Sequence, residues 1–418
     1  MHYDLTTLPN GLRVVSESMP SLRSVAIGCW VDTGSRDENS NESGISHFLE
    51  HLLFKGSETL SAREVSETFD AIGAESNAFT SKEATCYWAR LLDQELSTGL
   101  DILSEIIQRP AFRSNEIDSE RQVVIEEINM YEDDPNDVAF ERFTTAVFTD
   151  HDLEDPVLGT RDSIRSVSRD EIASYWKRRY GAGSMVVAAA GSVDHDELVE
   201  MIGDRFGDWS GERVNHDHSP AEATSKIHVK RRDTEQAHII LGGHGLDRSD
   251  DRRWAFEILN HVMGSGMSSR LFREVREERG LAYAIYAFKL AYADNGAWGV
   301  YVGTTPSQTE TAMNIIREEL AKVVAEGITA EELERAKGSM RGGLALAMED
   351  PNSRMVRLGR DEMTGMPHLS VDERLDKLES IDLDQVQAVA GDMFGAETRM
   401  IGAVGPFDEN DLTKYLAV

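Results

Sequence analysis

Apolar and polar positions alternate along this chain with two periods, and the change from one to the other marks out strands and amphipathic helices. Residues 3–18 read as a hairpin: TTL, the turn Pro9-Asn10-Gly11, then the alternating LRVVSE. SVAIGCWVDTG at 24–34 is apolar enough for a buried strand. A helix is predicted from about Ser43 to Lys55, stopped by Gly56. A second begins at the capping box Ser61/Glu64 and runs to about Ile72, before Gly73. ESNAFTSKEATCYWARL, 75–91, has strand character, and helices follow at about 94–109 and 114–132. Polar residues gather around DDPND; beyond them lie a helix over 137–147 and a longer one ending near Arg179. The strand SMVVAAAGSV and the helix DHDELVEMIGDRF complete the first half. Strands and helices mixed in this way predict an α/β or α+β layer fold.

Residues 212–226, ERVNHDHSPAEATSK, are polar and aperiodic and read as a linker. The pattern then starts again. YGAGSMVVAAAGSVDHDEL from Tyr180 and FGAETRMIGAVGPFDENDL from Phe394 match without a gap at an offset of 214, pairing Gly181 with Gly395, Ala182 with Ala396, Gly191 with Gly405 and Asp194 with Asp408. Two homologous domains of about 200 residues each follow from that repeat: 1–211, then the linker, then 227–418. The second copy carries, in place of the polar box described below, HVMGSGMSSRLFREVREERGLAYAIYAF, which reads as a Gly/Ser-rich turn, a basic amphipathic helix and an aromatic strand.

Length and charge narrow the function. The 418 residues are too many for one comfortable core. A net charge of −32 argues against nucleic acid, whose binders need a basic face. The acidity is spread along the chain and fits either a surface for cationic substrates or a highly soluble exterior. Two cysteines, Cys29 and Cys86, make neither a disulfide framework nor a thiolate metal site. Nothing at the N-terminus resembles a signal peptide, and no apolar run approaches the roughly 18 residues of a membrane span. A cytoplasmic setting without membrane association is expected.

The candidate chemistry sits in ISHFLEHLLFKG, where His47, Glu50 and His51 interrupt an apolar helix. Residues i and i+4 share a helix face, so both imidazoles can offer a ring nitrogen to one divalent ion with Glu50 beside them. This is the HxxEH pattern of inverted zincins, one protein ligand short of a catalytic zinc site. SNEIDSERQVVIEEINMYEDD places Glu120 and Glu127 seven apart on one helix face, whereas Glu126 points away. Glu120 and Glu127 lie roughly 10 Å apart along the axis, so one can complete the ligand set while the other orients a histidine or carries charge. His216 and His218 flank Asp217 in the linker, with no second cluster to make a metal site of them; His238, His244 and His261 read as structural or surface residues.

The HFLEH box, with ERQVVIEEI placing a glutamate 76 residues after His51, resembles the M16 metallopeptidases, the pitrilysin and mitochondrial processing peptidase group. PNGLRVV, GSRDE before the box, GAESNAFTSKEAT, GSGMSSRLFREVREERGLAY and the two-domain repeat extend the resemblance over essentially the whole chain. It implies an α+β fold of two homologous α/β-layer domains (LuxS/MPP-like), each a mostly antiparallel sheet packed with helices. The N-terminal domain would be catalytic, and the C-terminal one inactive and substrate-binding.

By that resemblance His47, His51 and Glu127 bind one Zn2+ per chain, Glu50 is the catalytic base and Glu120 assists it. Asn77-Ala78 would receive peptide as an added edge strand, an ordinary edge strand being the alternative. Arg276 and Tyr283 would contact substrate, with Arg279 an alternative cation. The implied activity is zinc-dependent endopeptidase or oligopeptidase cleavage of unfolded peptides or precursor segments. Only two domains are present, so two subunits would have to close a chamber, as a homodimer or as a heterodimer with a related chain. A catalytically silent scaffold or partner subunit is the alternative reading.

Overall fold

The computed structural model describes residues 3–216, 218–222, 226–395 and 399–416. The first sheet contains β1 (Tyr3–Thr7), β2 (Arg13–Ser18), β3 (Ser24–Val31), β4 (Glu75–Thr80), β5 (Thr85–Leu92) and β6 (Met185–Gly191) in the order β1-β2-β6-β3-β5-β4. Every neighbouring pair is antiparallel except β2–β6. The central strands β3 and β6 are apolar almost throughout because both faces are covered. Val25, Ile27, Cys29 and Val31 point into a core shared with the helices Ile45–Leu53, Leu96–Gln108 and His195–Phe206, while Ala26 and Trp30 point the other way.

That other face is closed by a helix from far along the chain, Pro351–Met363, through Met355, Leu358 and Met363. It lies very close to the sheet. A Cβ on Gly28 would meet Met355 Sδ at 2.5 Å, and one on Gly359 would meet Trp30 Nε1 at 2.0 Å. One ionic group fixes the register: the buried Glu17 carboxylate of β2 accepts from Arg354, and from Arg357 Nη2 at 2.5 Å.

The second sheet contains β7 (Ile227–Arg231), β8 (Ala237–His244), β9 (Ala282–Ala291), β10 (Gly296–Thr304) and β11 (Arg399–Gly405) in the order β7-β11-β8-β10-β9. Only β7–β11 is parallel. This is the first sheet's order without β1, and β6 and β11 have bounds related by the same offset of 214 that relates their sequences. The fold is thus α+β, with two similar layered sheets. The helix Pro135–Val147 covers one face of the second sheet, and a Cβ on Gly402 would meet the backbone nitrogen of Phe143 at 2.1 Å.

The chain therefore separates into compact units that differ from the division expected at 212–226. One comprises Met1–Ile128, Asp155–Asp217 and Leu344–Val371; the other comprises Asn129–Glu154, His218–Gly343 and Asp372–Val418. Each sheet needs a second layer, and in each unit that layer is a helix from the opposite half of the chain. Both helices open on Asp-Pro-Asn, at 134–136 and at 350–352. Asp134 accepts from Asn136 N and Asp350 from Ser353 N, each at 2.8 Å, with proline in the first turn, where its missing N–H costs nothing.

Three local expectations change. The segment 75–91 is two strands, β4 and β5, because Ser81 closes a turn by bonding Ala84 through both its backbone N–H and its hydroxyl. The helix ending at Arg179 is two helices, Arg161–Ser166 and Arg169–Arg179, because Ser168 and Glu171 form a capping box that starts a new one. Within the segment expected as a basic amphipathic helix, Phe272–Glu277 is a π-helix. Asp217 and Ala396 fall outside the described residues, among which no helix is long and apolar enough to cross a membrane.

His216 is tied to the first unit. Its Nδ1 lies 2.6 Å from Asp37 Oδ1 and its Nε2 3.3 Å from Asp32 Oδ1. Hydrogen bonds to Asp32 and Asp37 outweigh burial and raise its pKa from 6.5 to about 9. A raised imidazole pKa stabilises the fold fully below 6.5, and that stabilisation is lost as pH rises through about 9. His216→Gln is expected to flatten the fall in melting temperature between pH 6.5 and 9; a variant with the wild-type slope would remove His216 from that role.

Candidate metal centre

The helix Ile45–Leu53 turns Ile45, Phe48, Leu49, Leu52 and Leu53 into the core, leaving His47, Glu50 and His51 on its remaining stripe. Its N-cap is Gly44, in the left-handed region at φ 86°, and Gly44 has no side chain to satisfy the first N–H groups. Glu38 does so from outside the helix. One carboxylate oxygen accepts from Gly44 N and the other from Ser46 N, both at 2.7 Å. Burial pushes the Glu38 pKa up to about 8 against the pull of those bonds.

The long helix Ser114–Asp133 presents its carboxylates to this stripe. Ile117, Val124, Ile125 and Ile128 anchor it in the core. Glu127 Oε2 lies 3.6 Å from His47 Nε2 and 3.5 Å from His51 Nε2. The His47 and His51 ring centroids are 4.6 Å apart, and one ligand atom from each of the three residues falls within 4.8 Å of the others. Four-coordinate zinc with bonds near 2.0–2.1 Å keeps its ligand atoms about 3.3 Å apart, so the donor set fits such an ion with little movement. Glu127 is partly exposed, with a side-chain relative accessibility of 31%, which leaves one side of the cluster open.

Glu120 occupies a different place from Glu127, one helix turn pair further back. Oε1 is 2.9 Å from His51 Nδ1, and Oε2 is 2.7 Å from Lys55 Nζ. With Glu120 accepting from Nδ1–H, the Nε2 lone pair of His51 faces Glu127. Burial opposes charge on His51, but the Glu120 hydrogen bond and the carboxylates of Glu127, Glu120 and Glu50 raise its pKa. His47 goes the other way: burial, reinforced by His51, lowers its pKa to about 4 and keeps it the neutral imidazole that ligation requires. Burial would raise the Glu120 pKa, but hydrogen bonds from His51 and Lys55 lower it.

Glu50 is tied neither to the histidines nor to Glu127 by a hydrogen bond. Its Oε2 accepts from Thr80 Oγ1 at 2.5 Å. Burial raises the Glu50 pKa, with Thr80 and His51 opposing and Glu127 adding to the rise.

Asn77 and Ala78 lie on β4, the outermost strand of the first sheet, in register with Trp88 and Tyr87. The Ala78 N–H donates to Asn77 Oδ1 at 2.8 Å, so the strand edge is capped by its own side chain at this point. Arg276 and Tyr283 belong to the second unit, Arg276 on the π-helix and Tyr283 on the edge strand β9. The Arg276 guanidinium lies 4.8 Å from the Phe272 ring centroid and 5.0 Å from that of Tyr283, and the Tyr283 side chain is largely exposed. Arg279 is engaged elsewhere, in an ion pair with Glu274 at 2.7 Å. Glu38, Lys55 and Thr80 were not singled out from the sequence, although all three lie within segments that were quoted there; Lys55 follows His51 at helical spacing, while Glu38 and Thr80 reach the box only through the fold.

A family model described as insulinase (peptidase family M16) matches residues 13–161, and one described as peptidase M16 inactive domain matches 166–340. The chain belongs to peptidase family M16. Among relatives of this M16 chain, one from Streptomyces coelicolor named an uncharacterized zinc protease is 41% identical over 98% of this chain and 91% of its own length. A Bacillus subtilis relative of the same description is 40% identical over 93% and 95%. In fold, the M16 chain is similar to a crystal structure titled peptidase M16 inactive domain from Pseudomonas fluorescens, with TM-score 0.92, 19% identity and coverage of 98% and 99%. A protease from Helicobacter pylori gives TM-score 0.90, 22% identity and coverage of 97% and 99%.

The role of Glu38 in the M16 box is testable without activity. Glu38→Ala strips the helix start of both acceptors and is expected to cost about 0.5–2 kcal/mol, the range for a lost cap, read as a lowered denaturation midpoint. Unchanged stability would show that water replaces the carboxylate without loss.

Proposed function

We propose that this chain is a zinc-dependent endopeptidase or oligopeptidase acting on unfolded peptides or precursor segments, with one ion per chain held by His47, His51 and Glu127. The observation that carries the reading is the convergence of two imidazole nitrogens and one carboxylate oxygen at ligand spacing, with a separate carboxylate, Glu50, on the same helix. A zinc ion in that place supplies Lewis acidity, acidifying water and polarising a peptide carbonyl.

The chain's own groups would do the rest. Glu50 takes the proton of the attacking water as its oxygen adds to the carbonyl carbon, and returns that proton to the nitrogen as the C–N bond breaks. Its raised pKa suits a group that must both accept and release a proton. Glu120 holds the His51 ring in the orientation that turns Nε2 to the ion. β4 receives substrate as an added strand, which gives affinity through the backbone with little demand on side chains. The incoming strand would displace the Asn77 amide from the Ala78 N–H.

Arg276 and Tyr283 are assigned to substrate contact in a homodimer, where these residues of one subunit serve the metal centre of the other. Both halves of such a site occur in one chain, and Tyr283 stands exposed on an edge strand with Arg276 stacked against its ring.

Zinc-loaded protein is expected to cleave a quenched peptide library, to stop when a chelator removes the metal, and to lose about 10²–10⁴-fold in turnover on Glu50→Gln while keeping its zinc. Stoichiometric zinc without cleavage of any peptide would instead support a silent scaffold or partner subunit. Mixing Glu50→Gln with Arg276→Ala subunits is expected to restore activity in the mixed dimer. No recovery, with both variants dimerising normally, would refute sharing between subunits.

A further inference from the structure

Glu50 is a largely buried carboxylate with a single hydrogen-bond partner among the described residues, the hydroxyl of Thr80. Two facts make that contact more than incidental. Thr80 is the last residue of β4, the strand whose free edge faces outward. It also shares a face with Ala78, since side chains alternate along a strand: Ala78 packs against the core that contains the Ile45–Leu53 helix, while Phe79 packs on Trp30 in the opposite layer. The Thr80 hydroxyl therefore points toward the helix that bears Glu50.

Its position is fixed from behind. The turn after Thr80 is closed by Ser81 and Ala84, and the carbonyls of Ser81 and Lys82 accept from the backbone N–H groups of Ser35 and Arg36. Thr80 is a donor at the start of a hydrogen-bonded turn, aimed at one oxygen of the Glu50 carboxylate.

We propose that Thr80 is a positioning residue for Glu50, and that it links the edge strand to the base. A hydroxyl has one proton to give, and here Glu50 Oε2 receives it. Oε1 is the oxygen left without a partner among the described residues, and the proposal gives it the task of taking the proton from water and later releasing it to the leaving nitrogen. It also means that a peptide pairing with β4 engages the same strand that sets the carboxylate, so register on the strand and orientation of the base are fixed together. The inference rests on the peptidase reading above and adds to it a residue and a specific oxygen.

The test compares Thr80→Val, which keeps the β-branched shape and loses the hydroxyl, with Thr80→Ser, which keeps the hydroxyl. In zinc-loaded protein Thr80→Val is expected to lower kcat about 10–100-fold, the same order as the loss of a partner that orients a metal ligand, with KM, zinc content and melting temperature little changed. Thr80→Ser should return kcat to near wild type. Equal losses in the two variants, or wild-type turnover in Thr80→Val, would overturn the proposal.

A crystal structure of metal-free Thr80→Val supplies a readout independent of turnover. Glu50 should leave its wild-type orientation or become spread over several, and an unmoved carboxylate would overturn the proposal. Wild-type and Glu50→Gln proteins assayed alongside separate the two questions. If wild type cleaves and Glu50→Gln does not, the peptidase reading stands whatever Thr80 does. If zinc-loaded wild type cleaves nothing, that reading fails, while the orientation of Glu50 still decides the role of Thr80.

Discussion

The Ile45–Leu53 helix must bury one face in an apolar core while carrying three ionisable side chains at the core's edge, and much of the first unit answers that demand. Buried polar groups cost free energy unless they are bonded, and buried charges cost more. Two members of the box accordingly have a dedicated hydrogen-bond partner from a different element, while His47 Nδ1 is buried with none among the described residues. Glu38 satisfies the helix start, Glu120 meets His51, Lys55 meets Glu120, and Thr80 meets Glu50. Glu127 is left partly in solvent. With neutral imidazoles, the carboxylates of Glu50, Glu120 and Glu127 set against the one ammonium of Lys55 leave an excess of two negative charges. A dication cancels that excess, which is an electrostatic reason, separate from ligand spacing, for the cluster to take one.

The architecture that carries this helix rests on an exchange. A sheet whose central strands are apolar on both faces cannot stand with one face bare. In each unit the missing layer comes from the other half of the chain, as an Asp-Pro-Asn helix packed against glycines of the sheet: Gly28 opposite Met355 in one case, Gly402 opposite Phe143 in the other. The close approach excludes a Cβ at those positions, and in the first unit the Glu17 group with Arg354 and Arg357 adds a charged key. Neither unit can therefore be cut out of the sequence as a continuous piece without losing a layer of its core.

What the sequence disclosed and what it withheld follow from the range of the interactions. Local signals were legible: the Ser61/Glu64 box and Gly73 bound the helix Ala62–Ala71, Pro9-Asn10-Gly11 turns the first hairpin, and the offset of 214 brings out β6 and β11 as counterparts. Spacing alone put His47 and His51 on one face and separated the places of Glu120 and Glu127. The breaks at Ser81–Ala84 and at Val167-Ser168 were missed because short polar residues inside apolar runs do not announce a turn unless their bonding partners are known. The helix exchange was missed for a different reason. Asp-Pro-Asn occurs in both halves, at an offset of 216, but a start signal says nothing about which sheet the helix will cover. Glu38 and Thr80 are likewise joined to the box only by tertiary contact.

An offset of 210 relates the candidate metal-centre helix to its counterpart in the second unit. The helix Arg253–Gly264 follows β8 as Ile45–Leu53 follows β3, and it buries Ala255, Phe256, Ile258, Leu259, Val262 and Met263 where the first buries 45, 46, 48, 49, 52 and 53. The stripe left over is Glu257, Asn260 and His261 in place of His47, Glu50 and His51. Asn260 has an amide that cannot take up a proton, and Glu257 lies 3.4 Å from Lys289. On the helix Ala330–Ala347, which begins 216 residues after Ser114, the places of Glu120 and Glu127 are held by Ala336 and Gly343. The packing code was thus kept while every donor but one imidazole was replaced. Packing depends on the apolar stripe, whereas ligation would depend on the polar one, so the second unit keeps the fold without the candidate ligand set.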